Sequence, residues 1–270
     1  MANTKSTVAT QDFFQELMDD LNSMSTITSV EVLPTKGLLD NIPNGEVTLR
    51  MMTTHEEKIR TGSKGSFWKV MSSIINKCIV EPEGIDAYKL TVIDFVFLMY
   101  RLRRLSLGKD YRVSLTTCPS CDKPLSDVVV DLDKLNVKYI DENFKEPFEV
   151  KLPKLKWTVG CRLLRVNEFD EILTKSNKIL EEFPSYEGDP TVSLRLIKQI
   201  VTINDKPVTQ VQLEQIVDKL PIEDEVAISR AFESIDMGLD LNASYTCPRC
   251  GDELLIPLTY TEEFFRPTSD

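Results

Sequence analysis

Two short stretches decide how this chain is to be read: TTCPSCDKP, residues 116–124, and TCPRCGDE, residues 246–253. Each sets two cysteines around Pro and one further residue, Cys118 with Cys121 and Cys247 with Cys250. Alternating segments flank both: YRVSLTT and PLSDVVV around the first, LNASYT and GDELLIPLT around the second. That pattern predicts strand, tight turn, strand, twice over. In such a tip successive backbone N–H groups point at the sulfurs and favour thiolate. Two thiolates make half of a tetrahedral Zn2+ site, with Zn–S distances of about 2.3 Å. His55 is the only histidine, so Cys118, Cys121, Cys247 and Cys250 together are the natural ligand set. Protein sulfur would fill all four positions, which makes the ion structural rather than catalytic.

The two pairs are separated by 125 residues, far more than in a compact zinc ribbon. The intervening chain reads as an excursion whose ends the metal clips together, which restricts the unfolded state. The competing readings are a redox C-x-x-C pair or two unrelated pairs. A redox motif opens a helix after a strand in a βαβ unit, whereas both of these pairs sit on hairpin tips. Cys78 and Cys161 fall among apolar neighbours and read as core residues.

Outward from the cysteines, the 270 residues suffice for a substantial core, with 41% apolar and 28% charged residues. The longest apolar run, VIDFVFLMY (92–100), is too short to span a bilayer and holds Asp94. The N-terminus has no apolar segment of the signal-peptide kind, so a cytosolic protein without membrane contact is expected. A net charge of −11 argues against nucleic acid and suits protein partners. No phosphate-binding glycine loop, dinucleotide fingerprint or nucleophile elbow is present, and HEEK (55–58) is not HExxH, so neither an enzyme nor a small-molecule substrate is expected.

The predicted class is α+β: helices and short antiparallel strands, with the two CPxC hairpins joined in a zinc-ribbon-like site. Four segments are expected. Residues 1–30 form an arm whose Phe13, Phe14, Leu17 and Leu21 recur at helical spacing. Its helix either folds back on its own domain or docks in a partner's groove. Residues 31–166 form an α+β body with the first hairpin. It begins with a turn-rich stretch around LPTKG (33–37) and a strand in EVTLRM, and a capping-box start follows at Thr53/Thr54. Helices follow over 67–80 and 90–108, then the hairpin, then strands in FEVKL and WTVGCRLLRV. Residues 167–238 form a helical block, with starts at Asn167, Asp189 and Thr209, a helix over 190–201 and a stop at Gly238. Residues 239–270 hold the second hairpin and a short tail. The second body helix ends in Arg101, Arg103 and Arg104, either a favourable cation cluster at a helix C-terminus or an electropositive patch for an acidic partner. Lys36, in a turn, is a second candidate contact.

One further signal lies in the order of segments. LPTKG is followed by MTTHEEK (52–58), a helix ending in NKCI, then YRLRRLSLGKDYRV (100–113), CPSC, VDLDKL (130–135) and FEVKLPKLKWTVGCRLLRVNEFDEI (148–172). Over residues 32–175 this succession resembles the baseplate hub family of contractile-tailed bacteriophages of the T-even type, which holds a hub subunit and a related hub assembly factor. The resemblance implies a virion or assembly protein made in the host cytoplasm, with other hub or tail proteins as partners and no catalytic residues. The assembly-factor role would make it a chaperone absent from the mature particle. Two other classes stay open on the residues alone. A zinc-ribbon nucleic-acid binder would want basic tips, but Asp122, Asp127, Asp252 and Glu253 surround Lys123 and Arg249. A thiol enzyme would want a base beside an exposed cysteine, and His55 is the only histidine candidate.

Overall fold

The computed structural model describes residues 13–23, 27–113, 117–125, 128–259 and 262–265. The rest of the expected arm (1–12 and 24–26), parts of the first hairpin (114–116 and 126–127) and most of the tail (260–261 and 266–270) lie outside the described residues.

Residues 13–23 are helical (α1), and each of them is exposed. The body begins with strands β1 (Thr28–Val32) and β2 (Glu46–Arg50). Helices α2 (Thr54–Gly62) and α3 (Phe67–Cys78) come next, and β3 (Ile79–Glu81) follows directly. The α2 start is the expected capping box: Glu56 accepts the Thr53 N–H at 2.8 Å, while Thr53 Oγ1 accepts from His55 N at 3.2 Å. The apolar run becomes α4 (Val92–Leu107), capped by Thr91 and stopped at Gly108, whose φ of 86° suits glycine.

Asp94, the one carboxylate within the apolar half of α4, is fully buried. It accepts the Thr35 N–H at 3.0 Å and the Thr35 hydroxyl, and so ties the LPTKG turn to the start of the helix. Burial pushes its pKa up to about 6 against the opposing pull of the Thr35 hydrogen bonds. A Cβ at Gly37 would stand 2.3 Å from the Ile42 carbonyl oxygen, and one at Gly45 2.3 Å from the Lys36 backbone. Only glycine permits that approach.

The first hairpin pairs β4 (Asp110–Val113) with β5 (Val128–Asp131). Short β6 (Val137–Lys138) precedes β7 (Phe148–Lys151) and β8 (Thr158–Cys161). Then come α5 (Val166–Glu182), α6 (Pro190–Gln199), β9 (Ile200–Ile203), β10 (Lys206–Pro207), α7 (Gln210–Glu214) and α8 (Ile222–Glu233). The chain closes with β11 (Gly238–Leu239), β12 (Asn242–Thr246) and β13 (Glu253–Pro257). Mixed helices and small antiparallel sheets are thus the architecture, with strand orders β1-β2-β3 and β10-β9-β8-β7 and three two-stranded pairs.

Two cores result. In the larger, Trp68, Met71, Ile74 and Ile75 of α3 meet Phe95, Leu98 and Leu102 of α4, and both CPxC hairpins contribute, through Val128 and Val130 and through Leu254 and Ile256. Burying such side chains is worth about 1.5–3 kcal/mol each. The smaller core joins Val150, Val159 and Cys161 of β7 and β8 to Leu196, Ile200, Leu213 and Ile228.

Several expected elements differ. The helix expected over 190–201 ends at Gln199, and Ile200–Ile203 pairs with β8 instead. Four successive residues there include three that are β-branched and apolar, which fit a half-buried sheet better than a helix. A Cβ at Gly160 would lie 2.2 Å from Thr202 Oγ1, so the absent side chain lets β9 close against β8. This pairing crosses the expected division at 166/167. α5 starts at Val166 rather than after Asn167, with the Glu168 carboxylate accepting the Arg165 N–H at 3.0 Å. α8 stops at Glu233, and Gly238, at φ 114°, opens β11 against β6. Asp189 and Thr209 cap helices as expected.

Candidate metal centre

The two CPxC tips are copies of one backbone device. At the first, Cys118 N–H donates to Lys123 O and Asp122 N–H donates to Cys118 O, each at 2.9 Å. At the second, Cys247 N–H donates to Asp252 O and Gly251 N–H donates to Cys247 O, again at 2.9 Å. The residue after the second cysteine has positive φ in both, 53° at Asp122 and 79° at Gly251. Other N–H groups of the turns, those of Lys123, Arg249, Cys250 and Asp252, face sulfur.

The tips converge. All four Sγ atoms of Cys118, Cys121, Cys247 and Cys250 lie within 4.8 Å of one another. Cys118 and Cys250 Sγ are 3.8 Å apart. A tetrahedron with metal–sulfur bonds of about 2.3 Å has edges of about 3.8 Å, so the cluster has the dimensions of one four-coordinate ion. All six cysteines are free thiols. The first cysteine of each tip, Cys118 and Cys247, is buried, while Cys121 is half-buried and Cys250 exposed.

The electrostatics have the same logic. The N–H groups of Cys250 and then Arg249 hold the Cys247 thiol down at about 7. At Cys250 the Asp252 N–H also favours thiolate, but partial desolvation of its sulfur and the sulfurs of Cys247, Cys121 and Cys118 outweigh it and push the group up to about 12. At Cys121 the Lys123 N–H is outweighed in the same way, and the group is raised. One thiolate forms readily here and a second is opposed by the first. A cation at the centre reverses that opposition, and the four sulfurs are the residues able to hold it.

Away from the sulfurs, the entry to the first hairpin is tied to the tail segment 262–265 by a residue whose place the sequence did not reveal. Arg103 of α4 is fully buried. Its guanidinium donates to Gly108 O at 2.8 Å and Asp110 O at 3.1 Å, where the chain enters β4. It also donates to Phe264 O at 3.2 Å, in the tail. The Tyr111 ring lies 4.9 Å from the guanidinium carbon and packs edge-on to Phe264 at 5.2 Å. Three carbonyls and two rings surround this cation, and only a planar fork serves all three acceptors.

Comparison with known proteins gives one clear result: a family model described as T4 bacteriophage base plate protein matches residues 24–266. The chain belongs to that family. Searches of curated proteins and of solved structures give no match. A baseplate family is a structural one, not an enzyme family, and the match takes in both hairpins and begins just after α1.

In this baseplate-family chain the other candidate contacts fare unequally. The expected patch of Arg101, Arg103 and Arg104 is corrected in its middle member: buried Arg103 offers nothing to a partner. Arg101 faces Glu31 of β1 at 3.3 Å, and Arg104 pairs with Asp133 at 2.6 Å on the surface. Lys36, half-buried, meets Glu142 at 3.4 Å. Phe13, Phe14, Leu17 and Leu21 are all exposed. His55 is exposed on α2, and the two remaining thiols, Cys78 and Cys161, are buried and pushed up to about 12 by desolvation, the opposite of a reactive thiolate. The sequence signal for Arg103 was slight: three arginines within four residues read as surface, and only packing separates them.

Proposed function

We propose that this chain is a hub subunit or hub assembly factor of a contractile-tail baseplate, working by contact in the host cytoplasm and binding other hub or tail proteins. The family match over residues 24–266 carries this reading, and the hub-like order of segments narrows it within the family. The arm stripe Phe13/Phe14/Leu17/Leu21 and the LPTKG turn with Lys36 are the contact surfaces offered. We further propose that Cys118, Cys121, Cys247 and Cys250 hold one structural Zn2+ in a zinc-ribbon-like arrangement. Tetrahedral sulfur sets suit zinc or iron, and the site has no open position for chemistry.

The test is complementation of a phage lacking the gene, with the resulting particles imaged and their proteins identified. Tail-defective particles without the gene are expected. The chain's presence in purified tails marks a subunit, and its absence from otherwise normal tails marks an assembly factor. Normal particles without the gene would remove the function. Metal analysis of purified protein should give about one zinc per chain, and a coloured, iron-bearing protein would reassign the ion.

A further inference from the structure

The helical block carries an aromatic tip that nothing in the fold uses. Residues 181–189, EEFPSYEGD, lead from the last turn of α5 into α6, and every one of them is exposed. Phe183 is 59% exposed and Tyr186 45%, with Leu180, one turn before Phe183, at 43%. The segment keeps its shape without burial. Phe183 N–H donates to Ile179 O and Tyr186 N–H donates to Phe183 O, each at 2.9 Å. Asp189 caps α6 by accepting the Thr191 N–H at 2.9 Å, and Pro190 opens that helix. The two helices pack on each other and are rooted in the cores, through Val166 in the larger and through Leu196 and Ile197 in the smaller. A tip held at both ends in this way has no route back onto its own chain. Its rings are presented ready-ordered, so docking them costs little conformational entropy.

The charge around the rings has one sign. Glu181, Glu182, Glu187 and Asp189 lie within these nine residues, and no Lys or Arg occurs from 179 to 194. Glu182 meets Lys178 of α5 at 3.6 Å, while Glu181 and Glu187 have no ion pair among the described residues. Such a border repels nucleic-acid phosphate and anionic lipid. It also disfavours a second copy, because each copy carries a net charge of −11. What it matches is an apolar pocket rimmed with cations.

We propose that the α5–α6 tip inserts Phe183 and Tyr186 into an apolar pocket, bordered by Lys or Arg, on a different protein of the tail assembly. The proposal rests on the contact reading of the function and adds to it a surface and the chemistry of the partner.

Benzoylphenylalanine in place of Tyr186 keeps an aromatic ring at the tip and bonds, on illumination, to what it touches. Made in cells infected with a phage lacking the gene, this chain should give an adduct with a different tail protein, on a stretch holding Lys or Arg beside apolar residues. Phe183→Ala in the same chain should cut the adduct at least about tenfold, as loss of an aromatic anchor does. Glu181→Lys with Glu187→Lys should do the same, and Glu181→Gln with Glu187→Gln should lose less. Circular dichroism and metal content, unchanged in the purified variants, keep unfolding out of the reading. An adduct with a second copy, with nucleic acid or lipid, or on a stretch without basic residues overturns the proposal. So does the absence of any adduct, or one indifferent to Phe183→Ala or to the charge reversal. Phe183→Ala with Tyr186→Ala should also fail to restore tails to that phage. Full restoration, while the phage without the gene stays tail-defective, overturns the tip and leaves the baseplate function standing.

Discussion

The two CPxC hairpins have the same hydrogen bonds and different materials. At the second tip Gly251 takes the positive φ without cost; at the first, Asp122 occupies the same position at 53°. A non-glycine residue there gives up about 1–2 kcal/mol, less for Asp, whose short side chain tolerates the left-handed region. The second hairpin has five paired residues on each strand, Asn242–Thr246 with Glu253–Pro257. Among the described residues the first pairs Asp110–Val113 with Val128–Asp131 and Thr117 with Pro124. Glycine at the turn supports the second tip. The first depends more on what it is tied to: the sulfur cluster at one end, Arg103 at the other, and the core through Leu125, Val128 and Val130. The same local geometry is reached by local preference in one hairpin and by tertiary constraint in the other.

Cutting the tie at the sulfurs is the harshest test of that contrast. Cys118→Ser or Cys247→Ser should abolish stoichiometric metal and lower the thermal midpoint more than any other change considered, with the first hairpin losing amide protection in hydrogen exchange before the second. Cys78→Ser and Cys161→Ser should keep the metal and cost about 1–3 kcal/mol by burying a hydroxyl. Metal retained in the Cys118 variant would dissolve the four-sulfur assignment.

Next in size is the tie at the base. Arg103→Ala removes the donor from the Gly108, Asp110 and Phe264 carbonyls and leaves a void beside Tyr111 and Phe264, and should cost on the order of 3 kcal/mol in denaturant unfolding. Arg103→Lys should recover little, because an ammonium cannot span acceptors at the first hairpin's entry and on the tail. A loss below about 0.5 kcal/mol, the range of ordinary surface changes, would show that the first hairpin and the tail hold together without this clamp.

The turn residues themselves give a smaller, signed test. Gly251→Ala should destabilise by about 1 kcal/mol and Asp122→Gly should be neutral or stabilising by a few tenths. Equal and opposite shifts would make the tips equivalent after all. The least effect on stability is expected from removing residues 1–26: a folded, metallated body within about 0.5 kcal/mol of the intact chain, since none of the described arm residues is buried. Unfolding of the truncated chain would return the arm to its own domain's core.

Much of this was decided locally and could be read from the residues. Paired thiols on hairpin tips, the Thr53–Glu56 capping box, the Thr91 and Gly108 ends of α4 and the Asp189 and Thr209 caps all rest on interactions a few residues long. The convergence of the tips was inferable because a single histidine leaves cysteine as the only source of a full ligand set. Other features depend on partners distant in sequence. Ile200–Ile203 is a strand because β8 offers an edge and Gly160 leaves room for Thr202. Arg103 is a core clamp because the tail brings the Phe264 carbonyl to it from 161 residues away. Asp94 is buried because Thr35 of the LPTKG turn supplies two hydrogen bonds to its carboxylate. A sequence states which groups a residue can offer; whether a charge is solvated, or desolvated and fully partnered, is set only when distant segments close around it.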